Sequence, residues 1–162
     1  MEHQRIRVRR ARESDLSTIA RFAQALAQLH VGFDARRFVL PPRGEADFAD
    51  FFRAELARAD TVLLVGELDS RSAGYAFVRM EPPSLEDLRG AVAWLHDIYV
   101  DPQSRSAGVG RQLIEAAKEA ARALGSHSLM VGVSPHNAAA WHVFERSGMR
   151  PTMVEMRLEL DA

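Results

Sequence analysis

The 162-residue chain contains no cysteine. Disulfides, thiolate-held metals and a cysteine nucleophile are therefore excluded, and a reducing interior suits the chain. Lysine is nearly absent too. Lys118 stands alone among 21 basic residues, which reads as the codon bias of a GC-rich bacterium, not as function. An excess of either charge is missing: 21 basic residues face 22 acidic ones, for a net −1. The arginines are interleaved with acids along the whole length, which argues against nucleic-acid binding as the main role. No apolar run reaches the roughly 20 residues that a membrane helix needs. The polar start Met1-Glu2-His3-Gln4-Arg5 lacks the apolar core of a signal peptide. A cytoplasmic location without membrane contact is the expectation. Repeats and low-complexity linkers are also lacking, so residues 1–162 are expected to form one domain.

The hydrophobic pattern fills that domain with alternating strands and helices. Residues 6–9 alternate as a half-buried strand, and Ser14 or Asp15 then caps a helix with Leu16, Ile19, Phe22, Leu26 and Leu29 on one stripe. Residues 30–44, broken by Gly32, Pro41, Pro42 and Gly44, read as a loop. A second helix follows, carrying Phe48, Phe51, Phe52 and Leu56. Residues 61–68 and 74–80 form a hairpin about the turn at 69–72, and residues 91–100 a long central strand. Helix 110–124 buries Leu113, Ala117, Ala121 and Leu124 and stops at Gly125. Strand 127–133 must run parallel to 91–100, because a crossover helix joins them. A helix over 137–147 and an alternating strand over 152–160 complete the order β-α-α-β-β-β-α-β-α-β.

The most informative stretch is the junction Val100-Asp101-Pro102-Gln103-Ser104-Arg105-Ser106-Ala107-Gly108-Val109-Gly110. A strand, a tight turn and a glycine-bearing helix start leave several N–H groups unpaired at the positive end of a helix dipole. That is a ready anion site. The spacing excludes a Walker A loop, since no Gly-Lys-Ser/Thr follows. It also excludes a full dinucleotide fingerprint, since Leu113 stands where the third glycine belongs. Downstream, the apolar run Leu129-Met130-Val131-Gly132-Val133 precedes Asn137, Ala140, Phe144, Gly148 and Met149 at regular intervals.

Arg-x-x-Gly-x-Gly after Ile98-Tyr99-Val100, followed by this second motif, resembles the GNAT family of acetyl-CoA-dependent N-acetyltransferases. The resemblance is close over residues 91–149. It implies an α/β fold with a mixed, mostly antiparallel sheet, a splayed parallel strand pair and helices on both faces. It also implies acetyl-CoA as cosubstrate, with no metal. The pantetheine arm would lie along Ile98, Tyr99 and Val100. The pyrophosphate would rest on the N–H groups of Ser106, Ala107, Gly108, Val109, Gly110 and Arg111, with Arg105 adding a charge-assisted contact. Asn137 and Phe144 complete the implied cofactor set.

The implied reaction is transfer of acetyl to a primary amine of a small molecule or peptide by direct attack, which needs no protein nucleophile. The family often carries a tyrosine proton donor where this chain has Phe144. Tyr99, Ser147, His142 or water could substitute, or the thiolate could leave unaided, its thiol pKa being near 8–9. For the base, His96 and Asp97 are both candidates: an imidazole titrating near neutrality, or a carboxylate orienting the amine. Phe33, Asp34 and Phe38 form a candidate amine pocket, whereas Arg36 and Arg37 would suit an acidic substrate. His3, His30, His127, His136 and His142 lack metal-ligand spacing and read as surface or loop residues. Trp94 and Trp141 read as packing. A homodimer is left open. An acyl-CoA-binding sensor with lost catalysis is the competing reading, favoured by Phe144, and transfer of a longer acyl group is a third.

Overall fold

The computed structural model describes residues 5–160. Five strands form one sheet in the order β1-β2-β3-β4-β5: β1 (Ile6–Arg10), β2 (Thr61–Leu68), β3 (Arg71–Glu81), β4 (Val92–Val100) and β5 (Leu129–Val131). The first four pair antiparallel and β4 pairs β5 parallel. Helices α1 (Leu16–Phe33) and α2 (Glu45–Leu56) cover one face, and α3 (Val109–Ala123) packs on β1 to β4 across the other. The α/β class, the mixed sheet and the two-faced helical cover are as expected. No described helix is long and apolar enough to cross a membrane.

Each face has its own core. On one side Leu16, Ile19, Phe22 and Phe52 meet Leu63, Val65, Tyr75 and Phe77. On the other Val109, Leu113, Ile114, Ala117 and Ala121 meet Val62, Leu64, Val78, Ala93 and Leu95, and Phe144 of α4 (Ala138–Arg146) joins them. Period-two alternation along β2 and β3 feeds both clusters, and the stripes of α1 and α3 close them. The β2–β3 turn is two residues, Asp69 and Ser70, both with positive φ (49° and 66°), a pair whose left-handed backbone suits the twist of a hairpin.

Several expected boundaries shift. Helix α1 runs on to Phe33, because His30 continues its stripe one turn after Leu26 and Gly32 is tolerated near its end. Strand β5 is three residues, not seven. The expected final strand over 152–160 does not form: those residues are exposed and pair with no strand. Their alternation is real, but no sheet edge accompanies it. His3 lies outside the described residues.

Candidate active site

The site begins with a defect in β4. Pairing with β3 runs Gly74↔Val100, Tyr75↔Tyr99, Ala76↔Ile98 and Phe77↔Asp97, then skips to Val78↔Leu95. His96 is the extra residue of a β-bulge. A regular strand would send His96 and Asp97 to opposite faces; the bulge breaks that alternation. Leu95, Ile98 and Val100 therefore belong to the α3-side core. His96 stacks on Phe77, Asp97 meets Tyr75, and Tyr99 packs beside Phe22, all on the α1–α2 side. Both candidate bases share one face.

At the same point β4 loses its other neighbour. Its parallel pairing with β5 is Ala93↔Leu129, Trp94↔Met130 and Leu95↔Val131, and stops there. Beyond Leu95 one edge of β4 faces no strand. Ile98, Tyr99 and Val100 lie along this open edge, where a ligand bearing amides can add in the manner of a strand.

The open edge leads into the loop that starts α3. Asp101 anchors the turn: its N–H donates to the Ala73 carbonyl at 2.8 Å, and its carboxylate accepts from the Gln103 N–H at 3.1 Å. Ser106 and Gly108 take positive φ, 65° and 96°. The first N–H of the helix to find an acceptor is that of Gln112, which donates to Gly108 O at 3.2 Å. Among the described residues, the N–H groups of Ser106, Ala107, Gly108, Val109, Gly110 and Arg111 have none. Arg105 is exposed beside them, its Nε 3.4 Å from the Val100 carbonyl.

Three glycines show what fixes this geometry. A Cβ on Gly74 would strike the Tyr99 carbonyl and come within 3.2 Å of Val100 Cα, and one on Gly66 would meet Val109 Cγ1 at 2.9 Å. These two lie opposite each other in the sheet and let strand and helix close in. Gly110 differs. Its φ is not positive, and a Cβ would meet only Val100 Cγ2 at an ordinary 3.5 Å. Nothing within the protein demands glycine there, so the bare backbone is available to whatever approaches from outside.

Asp97 sits on the α1–α2 side with the Tyr75 hydroxyl donating to its Oδ2 at 2.9 Å. Burial pushes its carboxyl above the usual range, while the Tyr75 hydrogen bond and the charges of His96 and His30 pull it down. Tyr75 is fully buried. Burial first, and the Asp97 charge second, raise its phenol well above its ordinary value, so it remains a donor. His96 is partly exposed, stacked on Phe77 (5.2 Å between centroids) and near Trp94 (6.1 Å). Its Nε2 lies 2.6 Å from Glu81 Oε1. Burial pushes the Glu81 carboxyl up, but hydrogen bonds from Arg79 and His96 outweigh it and hold Glu81 below its usual range. Of the two candidate bases, then, His96 is tied to a neighbouring carboxylate and Asp97 to a neutral donor.

His30 is the residue that the sequence reading missed. It is helical and part-buried, not a loop residue: its Nδ1 donates to the Leu26 carbonyl at 2.9 Å, and its charge is felt at Asp97. The i+4 spacing from Leu26 carried the signal. Phe33 and Phe38 flank its ring at 6.1 and 4.8 Å. Asp34 Oδ1 accepts from the N–H groups of Arg36 (3.0 Å) and Arg37 (3.2 Å), so this carboxylate shapes the loop. Arg37 pairs with Glu155. Asn137 caps α4, its Oδ1 accepting from the Ala140 N–H at 3.1 Å, and Phe144 is 6% exposed within the α3-side core.

A surface depression of about 550 Å³ lies away from the α3 loop, lined by Arg58, Asp60, Arg79 and the Glu81 that holds His96, among others. Its arginines are already matched: Arg58 with Asp60 at 2.7 Å, Arg79 with Glu81 at 2.8 Å and with Glu55 at 3.2 Å. It offers an incoming anion far less than the six free N–H groups do.

Fold and site together define an α/β protein with a helix start whose N–H groups lie unpaired beside a parallel strand pair that ends at Leu95. The profile of the acetyltransferase (GNAT) family matches residues 25–149, and the chain belongs to that family. It is 35% identical over 81 residues to aminoglycoside N(6')-acetyltransferase type 1 of Klebsiella aerogenes, covering 50% of this chain and 53% of that protein. It is 32% identical over 98 residues to an L-methionine sulfoximine/L-methionine sulfone acetyltransferase of Pseudomonas paraeruginosa, covering 60% of this chain and 55% of that protein. The chain thus spans little more than half the length of these curated relatives. The aminoglycoside N-acetyltransferase AAC(6')-Iy, solved in complex with CoA, superposes with a TM-score of 0.79 at 17% identity. That match covers 99% of this chain and 98% of the other, and it shows a shared fold.

Proposed function

We propose that this chain transfers an acetyl group from acetyl-CoA to a primary amine of a small polar molecule or peptide. The observation that carries the reading is the bulge at His96. One strand thereby offers its open edge and the phosphate-ready loop to a cofactor, and turns Asp97 toward the other face, where an amine can enter.

In this scheme the N–H groups of Ser106 to Arg111 hold the pyrophosphate, with Arg105 over it, and the pantetheine arm runs along Ile98, Tyr99 and Val100. The ammonium first gives one proton to Asp97, directly or through water, and the freed amine attacks the thioester carbonyl carbon. The C–N bond forms, the C–S bond breaks, and the second nitrogen proton passes through water to the departing thiolate. Tyr75 keeps Asp97 oriented. Phe33, His30 and Phe38 border the amine's approach. The relatives named for aminoglycoside and amino-acid-analogue substrates favour small amines as acceptors.

The test is thiol release from acetyl-CoA across a panel of aminoglycosides, amino acids, amino-acid analogues and peptides, alongside CoA calorimetry. Turnover with at least one amine class is expected. Tight CoA binding without turnover on any amine would favour the sensor reading, and absence of CoA binding would overturn the proposal.

A further inference from the structure

A chain of charged side chains runs from the interior to the bulge in β4, and the proposed acetyl transfer draws on none of it. Glu55 of α2 is 5% exposed. Its Oε2 accepts from the Thr61 hydroxyl at 2.9 Å, and its Oε1 accepts from Arg79 Nη1 at 3.2 Å. Arg79 Nε donates in turn to Glu81 Oε1 at 2.8 Å, and the same oxygen lies 2.6 Å from His96 Nε2. Burying such groups costs desolvation that their attraction scarcely repays, so stability is a weak reason for the chain. Its outer end is specific.

That end fixes the His96 ring. Although burial pushes it up, hydrogen bonds from Arg79 and His96 keep the Glu81 carboxyl below its usual range. An ionised carboxylate can only accept, so the proton between Oε1 and Nε2 belongs to the imidazole. The ring also stacks on Phe77 at 5.2 Å and lies 6.1 Å from Trp94, with planes 29° and 27° apart. Orientation and tautomer are both set. Among the described residues Nδ1 has no hydrogen-bond partner. In the neutral ring it carries a lone pair, on the α1–α2 side and one residue from Asp97.

We infer that Glu81 is a positioning residue for acetyl transfer: it holds the His96 ring so that Nδ1 accepts one N–H of the incoming amine while Asp97 takes the departing proton. The inference rests on the function proposed above, with Asp97 as the base. Two acceptors on consecutive residues share one face only because of the bulge. Together they hold the nitrogen in two directions and leave its lone pair for the thioester carbon. Arg79 and Glu55 keep Glu81 in place from behind.

Isosteric substitutions separate the two nitrogens of the ring. His96→Asn keeps an acceptor near the place of Nδ1. With an amine that the parent acetylates, it is expected to stay within about tenfold of the parental kcat/KM. His96→Gln keeps a donor for Glu81 but no acceptor at that place. It is expected to lose on the order of 10- to 100-fold in kcat/KM for the amine, with KM for acetyl-CoA unmoved. Glu81→Ala is expected to fall with His96→Gln, and to cost nothing further in a His96→Ala background. Ring-nitrogen NMR of the parent, which needs no variant, is expected to show the proton of the neutral His96 ring on Nε2. Equal losses in His96→Asn and His96→Gln would overturn the inference and leave the proposed function standing on parental turnover. So would a further loss from Glu81→Ala without the imidazole, or a ring proton on Nδ1. A parent that acetylates no amine would instead remove the proposed function, and this role of Glu81 with it.

Discussion

Gly108 and Gly110 are both glycine for different reasons, and single substitutions separate them. Gly108 has φ 96°, so Gly108→Val puts a β-branched residue in a region it avoids, at a strain of about 1–3 kcal/mol. That variant is expected to lose both melting temperature and CoA affinity. Gly110→Val keeps an allowed backbone and is expected to hold its melting temperature while CoA affinity falls on the order of tenfold or more, read by calorimetry. Equal loss of stability in the two variants would count against the distinction. Asp97→Asn bears on the chemistry. It retains an acceptor for Tyr75 and loses the proposed base, so kcat is expected to fall about 10²- to 10⁴-fold, with loss of the acid limb of the pH–rate profile. The sign of the stability effect follows from burial. A carboxyl raised in the fold binds its proton more tightly there than in the unfolded chain. Stability therefore declines as pH rises from the ordinary carboxylate range through the raised value, and the whole penalty is present above it. Melts at pH 7 are expected to show Asp97→Asn at least as stable as the parent. A marked loss there would mean that the ionised carboxylate is a structural need.

The elements show where the sequence was legible. Strand β2 and helix α3 lie where alternation and the apolar stripe put them, because each signal is local and the opposing core agrees with it. The loop at Arg105–Arg111 was readable for the same reason: glycine spacing encodes backbone geometry directly. The bulge was not, since an extra residue in a strand shows itself only against its partner's register; for that reason His96 and Asp97 could not be ranked from sequence. His30 was misplaced because the glycine after it suggested a break that the helix tolerates. Residues 152–160 alternate as a strand does, but alternation makes a strand only against a partner edge, and they pair with none. Two further results belong at this scale. Gly74→Ala would press a methyl group on the Tyr99 carbonyl. It should cost about 1–3 kcal/mol of stability by chemical denaturation and weaken CoA binding, because β4 shifts along its open edge. Asp15 gathers the start of α1, accepting from Arg9 Nη1 and Nη2 at 2.7 and 2.9 Å and from the Arg12 N–H at 2.7 Å. The Arg9 hydrogen bonds hold its carboxyl below the usual range. Its contribution is present at neutral pH and is lost as pH falls through that lowered value. Asp15→Ala is expected to cost about 1–2 kcal/mol at pH 7, with the gap to the parent closing in acid.

For the whole molecule, the proposed function divides two tasks across one sheet. In it the α3 side and the open edge of β4 would serve the cofactor, while the α1–α2 side, with Asp97, Tyr75 and His30, would serve the acceptor; the bulge in β4 joins them. An amide-resolved NMR titration of the full chain with CoA tests this division most directly. The account expects the amides of Ser106, Ala107, Gly108, Val109, Gly110 and Arg111 to shift most. Ile98, Tyr99 and Val100 should move with them, and inorganic pyrophosphate should perturb the loop alone. Shifts centred on Arg58 and Arg79, with the loop amides unmoved at saturating CoA, would contradict it.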